Sequence, residues 1–139
     1  MNSTIEELVA KYGTCEPFEL AEKMDINIYF RPLVDVGGYY MKLKNNIKLI
    51  VINNTMPHYQ QKFVMAHEIG HALLHPEKYA LMLRNSLYVT NRLEVEADKF
   101  AIELLLSDSM VYDNPDRTID DWASIFGLPR EIIELKFRG

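Results

Sequence analysis

Apolar positions in this chain fall mostly at intervals of three and four, and switch to alternation or short runs only between residues 27 and 52. That difference separates helix from strand, because side chains return to one face every 3.6 residues on the first and every 2 on the second. Ile5, Leu8, Val9 and Tyr12 follow a Ser3/Glu6 capping-box spacing, which predicts a first helix over residues 4–12, stopped by Gly13. Pro17 suits the first turn of a second helix with Leu20, Ala21 and Met24 on its apolar face, ending near Asp25. Strand character marks residues 27–30, 38–43 and 47–52, with Lys44, Asn45 and Asn46 as a hairpin turn between the last two. A long helix then enters with Thr55 as N-cap and Pro57 in an early position. It carries Phe63, Val64, Ala66, Ile69, Leu73 and Leu74 and closes before Pro76.

Residues 76–91 mix Tyr79, Leu81, Met82, Leu83, Leu87 and Tyr88 with polar side chains, and fit a helix or an ordered loop equally. Ala97, Phe100, Ala101, Leu104 and Leu105 predict a helix over residues 93–106. Residues 107–117 read as an acidic loop containing Asn114-Pro115. Thr118 opens a short helix closed by Gly127, and Pro129 starts a last one through Lys136. The expected fold is α+β, a small, mainly antiparallel three-stranded sheet packed against helices. With no repeat, linker or low-complexity stretch, residues 1–139 read as a single domain.

Composition narrows the class of protein. A chain of 139 residues, 48% hydrophobic and 25% charged, has the make-up of a globular domain with one core. Its apolar runs fall far short of a membrane span, and its first residues lack the basic and apolar blocks of a signal peptide. A cytoplasmic protein with no membrane partner is expected. The net charge of −5 and the absence of a basic stripe argue against direct nucleic-acid binding, while an acidic surface would tolerate a basic partner. Cys15, the single cysteine, can form no internal disulfide or thiolate pair, and a partly buried packing role is expected for it.

The chemistry concentrates in His67-Glu68-Ile69-Gly70-His71. Histidines four apart on a helix project from one face and can reach a single tetrahedral cation, while the glutamate between them can address a metal-bound water as a general base. Two histidines leave such a site one protein ligand short. Glu94 begins Glu-Val-Glu-Ala-Asp on the predicted helix, and Asp98 lies four residues on along the same face. Glu94 suits the third ligand and Asp98 an acceptor that fixes a histidine tautomer. Glu96 projects the other way. His75, one turn beyond His71, is about 12 Å of helix rise from His67 and suits a helix-end or packing role. Tyr79 and Tyr88 could donate to a tetrahedral oxyanion or simply pack in the core. A bland reading of the word, a solvated helix face, sits poorly with the apolar Val64, Ile69 and Leu73 around it. Gly70, costly mid-helix, suggests a close approach by another element, though mere tolerance also fits.

These two blocks, Ala66 to His75 and Glu94 to Leu105, resemble the ImmA/IrrE family of zinc metallopeptidases. The order of elements around them also fits. The resemblance implies a zincin-like, gluzincin-type fold, one Zn²⁺ per chain on His67, His71 and Glu94, and Glu68 as catalytic base. It departs at Ser107-Asp108, where relatives often carry Met-Pro. It further implies cleavage of a helix-turn-helix transcriptional repressor, often in mobile elements or stress responses. A substrate strand pairing with the 38–43 or 47–52 strand would suit such a protease. Two other functions stay open. One is a regulator-binding module or toxin–antitoxin component with a structural or vestigial metal site. The other is a DNA-reading pair of C-terminal helices, disfavoured because Arg130, Lys136 and Arg138 face Asp120, Asp121, Glu131 and Glu134.

Overall fold

A computed structural model describes residues 3–75 and 87–138 of the chain. Helix α1 spans Ser3–Tyr12 and α2 Pro17–Lys23. Ser3 is already helical, so α1 begins one residue before the predicted start. The α2 N-terminus is capped by Glu16, whose carboxylate accepts from the Phe18 and Glu19 amides at 3.0 and 3.1 Å. Strands β1 (Ile26–Arg31), β2 (Gly38–Lys42) and β3 (Lys48–Asn53) follow, then α3 (His58–Leu74) and α4 (Leu87–Leu105). Three short helices, α5 (Asp108–Asp113), α6 (Ile119–Phe126) and α7 (Arg130–Phe137), complete the described chain.

The architecture is α+β, and the sheet is mixed. Its order is β1-β3-β2, with β1 parallel and β2 antiparallel to β3. The 44–46 turn joins β2 to β3, with Asn45 and Asn46 both left-handed at φ 67 and 62, a conformation asparagine tolerates. Because β1 and β2 flank β3, the chain between them must cross the end of β3. Asn53 holds that crossing: its side-chain amide donates to the Leu33 and Val36 carbonyls at 3.1 and 2.9 Å, and its Oδ1 accepts from the Leu33 and Thr55 amides. Thr55 also donates its hydroxyl to Asn53 at 2.7 Å. It is therefore part of this corner and not the predicted N-cap of α3, a position taken by Pro57, which fixes an extended φ without a side-chain bond.

One face of the sheet presents Ile26, Ile28, Tyr40, Ile50 and Ile52 to α2 and α3, in a core shared with Ala97-side residues of α4, among them Phe100, Ala101 and Leu104. The neighbouring stripe of α4 faces a second cluster, where Ile102 and Leu106 pack with Trp122 of α6 and Ile133 and Leu135 of α7. One helix thus belongs to both clusters. Its start at Leu87 lies six residues before the predicted one, because the mixed pattern upstream of Leu93 hid its first turns. Asp108–Asp113, expected as loop, forms a helix capped by Ser107, whose hydroxyl accepts from the Met110 amide at 3.2 Å. The predicted α6 bounds hold: Thr118 and Asp121 form a reciprocal capping box, and Gly127 ends the helix at φ 66. Cys15 is exposed, not part of the packing.

Candidate metal centre

α3 and α4 cross at Gly70. A Cβ there would stand 3.0 Å from Phe100 Cδ1, 3.2 Å from Phe100 Cβ and 3.3 Å from the Ala97 Cα, so the glycine is what lets the two backbones approach. That contact sets Glu94, one turn before Asp98, opposite the histidine face of α3. His67 Nε2 and His71 Nε2 lie 3.1 Å apart, and each is 2.9 Å from an oxygen of Glu94. His71 is fully buried and His67 nearly so, whereas Glu94 is partly exposed at the mouth.

Asp98 Oδ1 lies 2.7 Å from His67 Nδ1. With the proton on Nδ1, donated to Asp98, the Nε2 lone pair is turned toward Glu94 and His71. Two imidazole nitrogens and a carboxylate at these separations are electron-rich groups facing one another, an arrangement that needs a shared proton or a cation between them. The donor set and its convergence fit a divalent ion. Without one, burial pulls the His67 imidazole down, but its hydrogen bonds to Asp98 and Glu94 outweigh burial and push it up to about 10.

Glu68 is buried beside this triad, its Oε2 4.0 Å from His67 Nε2. Burial pushes its carboxyl up to about 8 against the opposing pull of His67, and the Tyr40 amide donates to it. Its Oε1 has no hydrogen-bond partner among the described residues. Glu68 thus converges with the two histidines as well, ligand atoms of His67, Glu68 and His71 all lying within 4.8 Å of one another, and is tied to β2 through the Tyr40 amide. Sequence reasoning missed the Tyr40 amide, and no side-chain pattern could have announced a main-chain donor.

His75 caps the end of α3, its amide bonded to the His71 carbonyl at 2.8 Å and its ring 3.2 Å from Glu96. Burial lowers its pKa, with Glu96 opposing. Glu96 accordingly faces away from the triad. Tyr79 lies outside the described residues, as does the side chain of Tyr88. Of the two strands expected to receive substrate, β3 is ruled out because both its edges are paired, while β2 borders the sheet and touches Glu68.

Residues 21–138 match the IrrE N-terminal-like domain of peptidase family M78. The chain belongs to the ImmA/IrrE family of metallopeptidases. It is 39% identical over 98% of its length, and 88% of the relative's, to the immunity region protein 2 of Bacillus phage phi105. It is also 32% identical, over 77% of its length, to the metallopeptidase ImmA of Bacillus subtilis, of which the similarity spans 63%. Membership implies a metal, and the convergent donors are where this chain offers one a place. No described helix is long and apolar enough to cross a membrane.

Proposed function

We propose that this chain is a zinc-dependent endopeptidase, working as a single domain in the cytoplasm, with one ion held by His67, His71 and Glu94 and Glu68 as general base. The observation that carries this reading is the meeting of two Nε2 atoms and one carboxylate within 2.9–3.1 Å of one another. Imidazole and carboxylate ligation suits zinc, and three protein ligands leave a position for water. Bound there, the ion supplies Lewis acidity toward a water and toward the substrate carbonyl. Glu68 takes the proton of the attacking water and delivers it to the leaving amine. Tyr40 fixes the Glu68 carboxyl through its amide, and Asp98 keeps His67 in the tautomer that points Nε2 inward. The substrate lies along β2, so that its scissile carbonyl is brought over α3.

The family resemblance supports a helix-turn-helix transcriptional repressor as substrate, cleaved to relieve repression. A relative named for a phage immunity region and another named as a metallopeptidase support a mobile-element setting. The test is coexpression with any helix-turn-helix protein that the flanking genes encode. Wild type should yield a repressor fragment that a chelator prevents, and Glu68→Gln should keep about one zinc per chain and yield none. Undiminished cleavage by Glu68→Gln would remove Glu68 from the role of base.

A further inference from the structure

The sheet face turned away from α2 and α3 has no layer packed on it among the described residues. Alternation places Tyr29 of β1, Leu49 and Val51 of β3, and Tyr39 and Met41 of β2 on this side, and Tyr29 and Tyr39 flank Val51 in register. Tyr29, Tyr39 and Met41, on the two strands that flank β3, are 43%, 39% and 44% exposed, a cluster of large apolar side chains left to solvent. The Arg31 guanidinium lies over the Tyr29 ring, 5.7 Å from its centre, and Lys44 is exposed in the turn at the other end. Residues 26–53 carry a charge of +3 within a chain of −5; Lys42 and Lys48 alternate to the opposite face, which leaves Arg31, on this face, and Lys44, in the turn, as the cations beside it. The face is therefore apolar at its centre, with Arg31 at one end and Lys44 beyond the other, on a chain of net negative charge.

We infer that this face is a docking surface for the protein substrate, which seats an apolar patch with an acidic rim on Tyr29, Tyr39 and Met41 at a distance from the scissile bond. The inference rests on the protease reading above. Continuity favours the substrate as occupant: β2 carries Tyr39 and Met41 on this face, while its Tyr40 amide holds Glu68, so a chain lying along β2 passes directly from face to site. A second copy fits poorly. Pairing the face with itself sets Arg31 and Lys44 against their own kind, and pairing it with the acidic helices of a neighbour is a head-to-tail contact with no reason to close. Aromatic and arginine side chains in such a patch are those that carry most binding energy, and charge at the rim governs encounter.

The experiment uses Glu68→Gln as a binding-competent but non-cutting background and titrates it with the repressor from the coexpression test. The double variant Tyr29→Ser/Tyr39→Ser should weaken binding about tenfold or more. Arg31→Glu/Lys44→Glu, confined to exposed groups and safe for the fold, should weaken it several-fold, with a loss that fades as salt rises. In the otherwise wild-type enzyme, both pairs should slow cleavage of the whole repressor, and Arg31→Glu/Lys44→Glu, which lies off β2, should leave kcat/KM for a short peptide spanning the scissile bond unchanged. Wild-type affinity in both pairs would overturn the inference. So would sedimentation showing a wild-type oligomer that either pair dissolves, or a dT20 oligonucleotide that binds through these residues and competes with the repressor. If no Glu68-dependent cleavage occurs but binding still depends on this face, the docking surface stands and the protease reading alone fails.

Discussion

At the scale of the residue, Glu68 is the most consequential side chain, because it is a carboxyl buried where ionisation is costly. Its folded pKa of about 8 lies above its ordinary 4.5. A group raised in this way favours the folded state in its protonated form, so its penalty is absent below pH 4.5, grows through the interval, and is complete above about 8. In metal-free protein, Glu68→Gln should therefore unfold at the same temperature as wild type near pH 4.5 and at a higher one at pH 8.5. Thermal melts in chelator across that range check it, and a constant difference at every pH would contradict it. The identity of Glu68 was legible in the sequence as the second letter of a five-residue word. Its main-chain partner on β2, 28 positions earlier, was not, since an amide is present in every residue and only the sheet's placement selects one.

At the scale of the element, the site is made by two helices meeting at Gly70. The sequence marked this glycine as a mid-helix anomaly, and the structure supplies the reason in Phe100 and Ala97. Gly70→Ala gains about 1 kcal/mol of helix propensity, but its Cβ meets the Phe100 ring at 3.0 Å and, at 3.2 and 3.3 Å, the Phe100 Cβ and Ala97 Cα, which move only with the α4 backbone. Overpacking of that kind costs about 1–3 kcal/mol. Gly70→Ala should be slightly destabilised, and Gly70→Val more so, with a fall in bound zinc as Glu94 is pushed from the histidines. Urea unfolding together with metal analysis tests this; a stabilised Gly70→Val with full zinc would show that the helices do not need this contact. The helices with clean punctuation were legible from capping chemistry, as at Thr118 and Gly127. The α5 helix was missed because Asp108, Ser109 and Asp113 read as loop composition, while the Ser107 cap that starts it is a single hydroxyl.

At the scale of the whole molecule, α4 joins the candidate metal centre to the C-terminal helices through a charge network whose Lys136–Glu103 pair is buried. Lys136 of α7, whose side chain is 6% exposed, lies 3.2 Å from Glu103 of α4 and also pairs with Asp108 of α5. Lys99 reaches Glu103 at 3.4 Å and the Leu135 carbonyl at 2.9 Å. Removing one partner of a buried pair leaves an uncompensated charge, at a cost of about 3–5 kcal/mol, whereas replacing both with apolar groups is often neutral. Lys136→Met should therefore lose about 3 kcal/mol in urea unfolding, and Lys136→Met/Glu103→Leu should recover most of it; equal loss in both would mean that the charges contribute nothing beyond shape. The sequence by itself determined the local terms: which stretches are helix or strand, where glycine and the caps stop them, and which four side chains of α3 and α4 suit a metal and a base. These follow from periodicity and ligand chemistry within a few residues. Only the tertiary structure decided that β3 lies between a parallel and an antiparallel neighbour, that one helix serves two cores, that Tyr40 holds Glu68, and that, among the described residues, an apolar sheet face beside Arg31 has no layer packed on it. Each of these depends on contacts between residues far apart in the chain, which no local pattern specifies.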